Sequence, residues 1–369
     1  MSTGVSTTSS ARRAGVFPLH LGLGEEWVPP NEAGAIEQML ALHRDVQEQV
    51  DRREHPVPRG QHPKQHGTVF AVVTVAPDIP GDLRHGIFAE PQAWPAIIRF
   101  SNARMRHDQL PDAHGMAIKL LDVVGPRLID DGAGAATQDL VLVDHPVFFM
   151  SNVAEGVTLL RAFHSLTTGG LVARARTALR GLVSQERAFR IMRAMATKRP
   201  VSPLVSRYWS TTPIRVGHVA VKISVAPYTT PDEIPRMVGR DRLRRALAEQ
   251  LRAGEARFDL LLQRQSHPVT TPVEDPTVEW EERKSPPIRV AEIRIPAQRF
   301  EAPAQLAFGE NLSFTPWHGL QAHRSLGGIN RARRVIYEVM AARRRSLNQA
   351  PLREPAAAEV RALWQGQLL

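Results

Sequence analysis

Gly67-Thr-Val-Phe-Ala-Val-Val-Thr-Val-Ala76 is rich in β-branched residues and free of Pro and charge, so it reads as one buried strand. Working outward, similar runs recur at 96–101, 116–123, 138–143, 216–225, 257–265 and 288–295, separated by Pro, Gly and Asp. Strands in this number, with no regular strand–helix alternation, favour an antiparallel sheet or barrel over a doubly wound parallel sheet. Helical spacing surrounds them. Residues 32–53 place Ile36, Met39, Leu40, Val46 and Val50 on one apolar face, ended by Pro56 and Pro58. Residues 154–195 read as two helices, 241–253 as a third, and 328–347 and 354–367 as two more. No internal repeat and no Gly/Ser-rich linker divides the chain. The expectation is one α+β domain over 31–369, preceded by a flexible polar tail over 1–30.

Composition narrows the chemistry. The 369 residues include no Cys, which excludes disulfides, zinc–thiolate sites, iron–sulfur clusters and thiol nucleophiles. The net charge is +10, and Lys occurs only at 64, 119, 198, 222 and 284, so the positive charge is almost all Arg. Arg keeps its charge everywhere and forks onto carboxylates and phosphates. Such a balance suits nucleic acid, an anionic membrane surface or an anionic cofactor. The chain carries no helix-turn-helix pattern, zinc finger or aromatic RNA-binding motif, so no nucleic-acid partner is expected. No apolar run approaches the roughly 18 residues of a membrane span, and the start lacks the apolar core of a secretory signal. A cytoplasmic protein is expected. The segment 171–195 mixes apolar residues with Arg174, Arg176, Arg180, Arg187, Arg190 and Arg193. Such a helix packs on its own protein or rests on an anionic membrane.

Five short motifs carry chemistry-bearing residues. Arg59-Gly-Gln-His62-Pro-Lys64-Gln-His-Gly67 leads into the first strand and puts a His and an Arg at its mouth. Arg99-Phe-Ser101 ends a strand, and alternation sets Arg99 and Ser101 on one face, where a buried Arg requires an anion. Asp112-Ala-His-Gly115-Met-Ala-Ile-Lys119 is a polar turn entering a strand, with Asp112 as its anchor. Pro146-Val-Phe-Phe149 follows Asp139-Leu-Val-Leu-Val143, and its two Phe residues read as core or as the lining of a flat ligand. In Arg333-Arg-Val-Ile-Tyr337 and Arg344, spacings of four and seven form one helical stripe. A phenol flanked by arginines is a candidate anionic oxygen ligand for ferric iron. Each motif alone also reads as ordinary structure.

Taken together, the motifs resemble the haem catalase superfamily, over roughly residues 56–350. Arg59, His62, Lys64 and Gly67 are in register with its Arg-x-x-His-Ala-Lys-x-x-Gly pattern. Arg99-Phe-Ser101 is similar to its Arg-Phe-Ser, and 112–119 to its Asp-x-Arg-Gly-Phe-Ala-x-Lys segment. Residues 139–149 resemble its Asp-Leu-Val-Gly-Asn-Asn-x-Pro-Val-Phe-Phe. Glu310-Asn-Leu-Ser-Phe314-Thr-Pro316 resembles the stretch before its proximal helix. The resemblance implies an eight-stranded antiparallel β-barrel with surrounding helices and haem b between barrel and helices. It implies His62 as distal acid–base group oriented by Ser101, and Tyr337 as iron ligand with Arg333 beside it. Arg59, Arg99 and Arg344 would pair with haem propionates, and Phe148 and Phe149 would pack on the macrocycle. The length resembles short catalase-like proteins, so a monomer or homodimer is expected.

The departures bear on activity. Val143 stands where the family has its distal Asn, and neighbouring Asp144 is expected to point to the opposite strand face. An alternative register, starting from Arg324-Ser-Leu-Gly, would make His318 the iron ligand; the spacing from Phe314 to Tyr337 and the positions of Arg333 and Arg344 disfavour it. The leading expectation is a peroxide-metabolising haem enzyme of catalase or peroxidase type, acting on hydrogen peroxide or an organic hydroperoxide. The alternatives are rearrangement of a lipid hydroperoxide, as in allene oxide synthases, and a non-enzymatic haem-binding protein.

Overall fold

The computed structural model describes residues 21–51, 54–129, 136–168, 185–228, 236–351 and 353–369. Its centre is an antiparallel barrel. The strands are β1 (Gln65–Val75), β2 (Ala93–Asn102), β3 (His114–Leu121), β4 (Thr137–Val143), β5 (Tyr208–Trp209), β6 (Ile214–Val216), β7 (Val219–Pro227), β8 (Ala256–Arg264) and β9 (Ile288–Ile295). Eight of them close a ring, β1-β2-β3-β4-β5-β7-β8-β9 and back to β1, while β6 extends from β7. All seven strands read from the sequence are present. The two that were not, β5 and β6, are too short to show a period of two.

Alternation explains how the barrel fills. Val69, Ala71 and Val73 of β1, Ile98 and Phe100 of β2, Met116 and Ile118 of β3, and Phe258 and Leu260 of β8 point inward into one dry core. The intervening residues therefore face outward. On β2, β3 and β4 the register sets Arg99 beside Ala117 and Val141, and Ser101 beside Gly115 and Val143. These two rows form an outer-face floor that runs from polar Arg99 and Ser101 through small Ala117 and Gly115 to apolar Val141 and Val143.

Seven helices lie outside the barrel among the described residues: α1 (Glu32–Asp51), α2 (Val153–Thr168), α3 (Glu186–Ala196), α4 (Arg242–Ala253), α5 (Pro303–Asn311), α6 (Gly328–Leu347) and α7 (Ala357–Trp364). Ala35 and Met39 of α1, Val153 and Val157 of α2, Ala188 of α3, and Ala332 and Ile336 of α6 share a second core. Of the stripe expected on α1, Ile36, Met39 and Leu40 pack inward, Val46 is exposed with Gln47 buried in its place and donating to Pro58 O, and the side chain of Val50 lies outside the described residues. Helix α5 was not read from the sequence. Its buried residues are Gln305 and Gly309 rather than an apolar stripe. Gly309 lies so close to β1 that a Cβ there would stand 2.2 Å from Thr68 Oγ1.

Of the expected tail, residues 1–20 lie outside the described residues. Residues 21–30 are tied down: Gly24 N donates to Gln265 Oε1 at 2.6 Å, and Glu26 pairs with Arg331 at 2.7 Å. The Arg-rich segment is described only from residue 185, so Arg174, Arg176 and Arg180 lie outside. Helix α3 exposes Arg187, Arg190 and Arg193, while Ile191 and Met195 pack on Ala113, Val147 and Val143. Its apolar side faces the protein. No described helix is long and apolar enough to cross a membrane.

Candidate functional site

The loop before β1 carries His62 over the outer-face floor. Its backbone N donates to Ala103 O at 3.0 Å, and it takes a φ of +54°, a left-handed conformation uncommon for a side-chain-bearing residue. Its Nδ1 lies 3.0 Å from Ser101 Oγ. The ring rests on Gly115, where a Cβ would come within 2.5 Å of Cε1 and Nδ1. Burial, then the positive charges of Arg99, Arg59 and Arg333, push its pKa down to about 3. The imidazole is neutral at physiological pH. With Nδ1 held by Ser101, Nε2 is left to exchange a proton.

Three arginines converge beside it at the carboxyl end of α5. Arg59 Nη2 donates to the carbonyls of Gly309 at 2.9 Å and Glu310 at 3.1 Å, and also to that of Leu312. Arg344 Nη1 donates to Glu310 O at 2.6 Å and its Nη2 to Leu312 O at 3.0 Å. These carbonyls are the unpaired, partly negative end of the helix. Arg99 Nη1 donates to His62 O at 3.1 Å. Arg99 is 3% exposed, and burial lowers its pKa to about 10, opposed by Glu310. Arg99 Nε and Nη2 and Arg59 Nε are buried without a hydrogen-bond partner. Buried cationic donors without acceptors fit carboxylates, the groups a haem carries at its edge.

Across from this cluster, α6 places Arg333 and Tyr337 one turn apart. Arg333 Nη2 donates to Tyr337 Oη at 3.3 Å, and its Nη1 reaches Thr212 Oγ1 at 3.2 Å and Asn330 Oδ1 at 3.1 Å. Tyr337 is half-buried in the helical core with Phe148 and Phe149, whose rings are 4.6 Å apart. A cavity of about 20 Å³, room for about one water, has Arg333, Thr212, Ser210 and Val141 in its lining. The donor set therefore offers arginines for carboxylates, a phenol oxygen for ferric iron and aromatic rings for a flat macrocycle, which is the set haem needs.

The structure thus brings His62, Ser101, Arg59, Arg99, Arg344 and Arg333 together, with Tyr337, Phe148 and Phe149 on the adjoining helical side. Asp144 turns away, as expected, to accept from His114 N and lie 2.9 Å from its Nδ1. Asp112 anchors its turn through the backbone N–H groups of Arg104 and Met105 at 2.7 Å. His318 lies in a different cluster. Its Nδ1 is 3.2 Å from Thr137 Oγ1 and 3.7 Å from Asp139, beside the buried pair of Lys119 and Asp139 at 2.6 Å. Sequence reasoning missed the carboxylate of Glu310, 3.6 Å from Arg99 Nη2, although Glu310 stood within a quoted motif.

No family model and no curated protein matches the chain. Solved structures do. A fungal catalase superposes with a TM-score of 0.56 at 15% identity, over 86% of this chain and 64% of its own. A bacterial catalase gives 0.56 at 16% identity, over 86% and 64%. Catalase A from Saccharomyces cerevisiae gives 0.57 at 16%, over 85% and 67%. The chain thus spans 64% of the length of the first two. Barrel closure, helix placement and these superpositions agree: the fold of this chain is catalase-like.

Proposed function

We propose that residues 31–369 bind haem b against the outer face of β2–β4 and use it to metabolise peroxide. The observation that carries the reading is the His62–Ser101 pair over Gly115, set beside buried arginines with unfilled donors. Arg59, Arg99 and Arg344 hold the propionates, Tyr337 Oη is the protein's iron ligand, and Phe148 and Phe149 pack on the ring. Haem, when bound, supplies the redox chemistry that cleaves the O–O bond. His62 Nε2 takes a proton from one peroxide oxygen and returns it to the other as that oxygen leaves. Ser101 Oγ holds the ring through that exchange, and Arg333 fixes the direction of Tyr337 Oη.

One observation favours an organic hydroperoxide over hydrogen peroxide. Val143, next to Gly115 across the ladder, packs with Ala113, Val147, Ile191, Met195 and Phe149. The wall beside His62 is apolar, so it offers a peroxide no amide to bind and offers an alkyl group a dry surface.

The test is reconstitution with haemin, followed by absorption and by peroxide consumption. The reading expects saturable uptake and turnover that His62→Ala abolishes while uptake persists. A chain that takes up no haemin defeats it. A haem-loaded chain with no turnover of hydrogen peroxide or cumene hydroperoxide is a carrier and not an enzyme.

A further inference from the structure

We propose that Glu310 is a built-in competitor for the carboxylate seat: its side chain holds Arg99 in the ligand-free chain and gives way when a carboxylate ligand binds. The proposal rests on the haem-site reading above and concerns what that site does before the ligand arrives.

The three arginines are not equally provided for. Arg59 and Arg344 are satisfied largely by main-chain carbonyls of 309, 310 and 312. Arg99 receives none of these. It makes one hydrogen bond, to His62 O, and keeps two buried donors unfilled. Its anionic partner is Glu310 Oε2 at 3.6 Å, close enough for an ion pair and too far for a hydrogen bond. A buried guanidinium with one hydrogen bond and one ion pair, and two donors unfilled, is under-satisfied.

Glu310 is suited to leave. Its side chain is 44% exposed against 3% for Arg99, so turning outward restores water without uncovering a core. It also sits in the last turn of α5, the helix end that disfavours negative charge. The neighbouring arginines are what make a carboxylate tolerable there. A guest carboxylate that reaches Arg99 Nε and Nη2 makes the hydrogen bonds that Glu310 does not, and it meets the like charge of Glu310 while doing so.

The experiment titrates the full chain and its Glu310→Gln variant with three porphyrins: haemin, iron-free protoporphyrin IX and protoporphyrin IX dimethyl ester, followed by absorption and tryptophan quenching. Gln preserves size, and the hydrogen bonds of Arg59 and Arg344 at this helix end go to main-chain carbonyls and Ser313 Oγ rather than to the Glu310 carboxylate, so the variant keeps them. The variant should bind both free acids about tenfold more tightly than the natural chain and the ester equally well, with the gap shrinking in high salt. Equal or weaker binding of the free acids by the variant overturns the competitor role. So does an equal gain for the ester, because the effect then has nothing to do with carboxylates. If the natural chain binds no porphyrin at all, the haem-site reading itself falls and this proposal falls with it. Binding by the natural chain with no gain in the variant removes the competitor alone.

Discussion

A Cβ on Gly115 would stand 2.5 Å from both Cε1 and Nδ1 of His62 and 3.0 Å from Ser101 Oγ. The bare backbone of β3 is therefore the surface on which the imidazole lies. Ser101, directly across the ladder from Gly115, meets the same ring from the side. The position of His62 is thus set by an absent side chain as much as by a hydrogen bond.

Gly115→Ala is the direct consequence. The methyl group displaces the ring and breaks its contact with Ser101, while the arginines stay in place. In the haem-loaded protein, peroxide consumption should drop by about 10²-fold, the scale set by a misplacement of about 1 Å. Porphyrin affinity should change little. Parallel measurement of turnover and of porphyrin binding checks both halves, and unchanged turnover would show that the ring has no need of this seat.

Ser101→Ala leaves the ring on Gly115 but removes the partner of Nδ1. Loss of one buried hydrogen bond costs about 1 kcal/mol of stability. Turnover should fall by about tenfold, a general acid–base contribution partly lost rather than removed. Denaturant melts and steady-state rates on the same preparation separate the two effects.

Acid should destabilise the chain. Burial holds His62 near 3, with Arg99, Arg59 and Arg333 adding to the shift. Burial holds His145 and His323 near 4, and His66 well below its ordinary value. In the unfolded chain these rings titrate near 6.5. Between the folded and unfolded values the unfolded state binds more protons, so stability is full above about 6.5 and declines as pH falls below it. The apparent Tm should be several degrees lower at about pH 5 than at about pH 7.5, and His62→Gln should remove part of that slope. Turnover limited by His62 should stay level from about pH 4 to about pH 8, because the ring is already neutral across that range.

Tyr337 and His318 can be told apart by spectrum. Tyr337→Phe removes the phenol oxygen beside Arg333 and should change the absorption of the haem-loaded chain. His318→Gln should leave that spectrum alone and lower the melting temperature, since His318 lies with Thr137, Asp139 and Glu354. The opposite pattern would return the iron to His318.

Lys119 joins β3 to the C-terminal segment. It is 0% exposed, 2.6 Å from Asp139 and 2.5 Å from Glu354, and those carboxylates raise its pKa against the effect of burial. Lys119→Met leaves Asp139 buried beside no ammonium, a loss of about 3–5 kcal/mol. Denaturant melts measure it, and limited proteolysis should then cut first in the segment after 353.

How much was legible follows from what each element buries. The long strands show themselves because their inner residues are branched and apolar. Arg99 and Ser101 were assignable to one face because they stand two positions apart on a strand, with Phe100 alone between them. Helix α5 was invisible, since a helix whose buried residues are Gln305 and Gly309, with Phe308 alone reaching an apolar cluster, has no apolar stripe. Arg59 and Arg344 were set together only through the family resemblance, and their acceptors, the end carbonyls of that unread helix, were not foreseen. Main-chain acceptors leave no mark in a side-chain pattern. Val46 shows the reverse: an apolar residue at helical spacing on α1 that lies in solvent, while Gln47 takes the buried place.

The barrel is not equally strong around its girth. At β5 the ring passes through two residues, held to β4 by the pair Val143–Trp209 and to β7 by Tyr208–Val225 and Trp209–Ser224. Elsewhere β1 and β2 are laced from Gln65–Ser101 to Thr74–Ala93. Local opening proceeds where the fewest ladder bonds must break. The cylinder therefore has a seam, and the seam runs along Val143, the wall beside His62. Backbone amides there should exchange with solvent ahead of those on β1. The same loosening would widen the approach to the imidazole without disturbing Gly115 or the arginines on the far side of the floor.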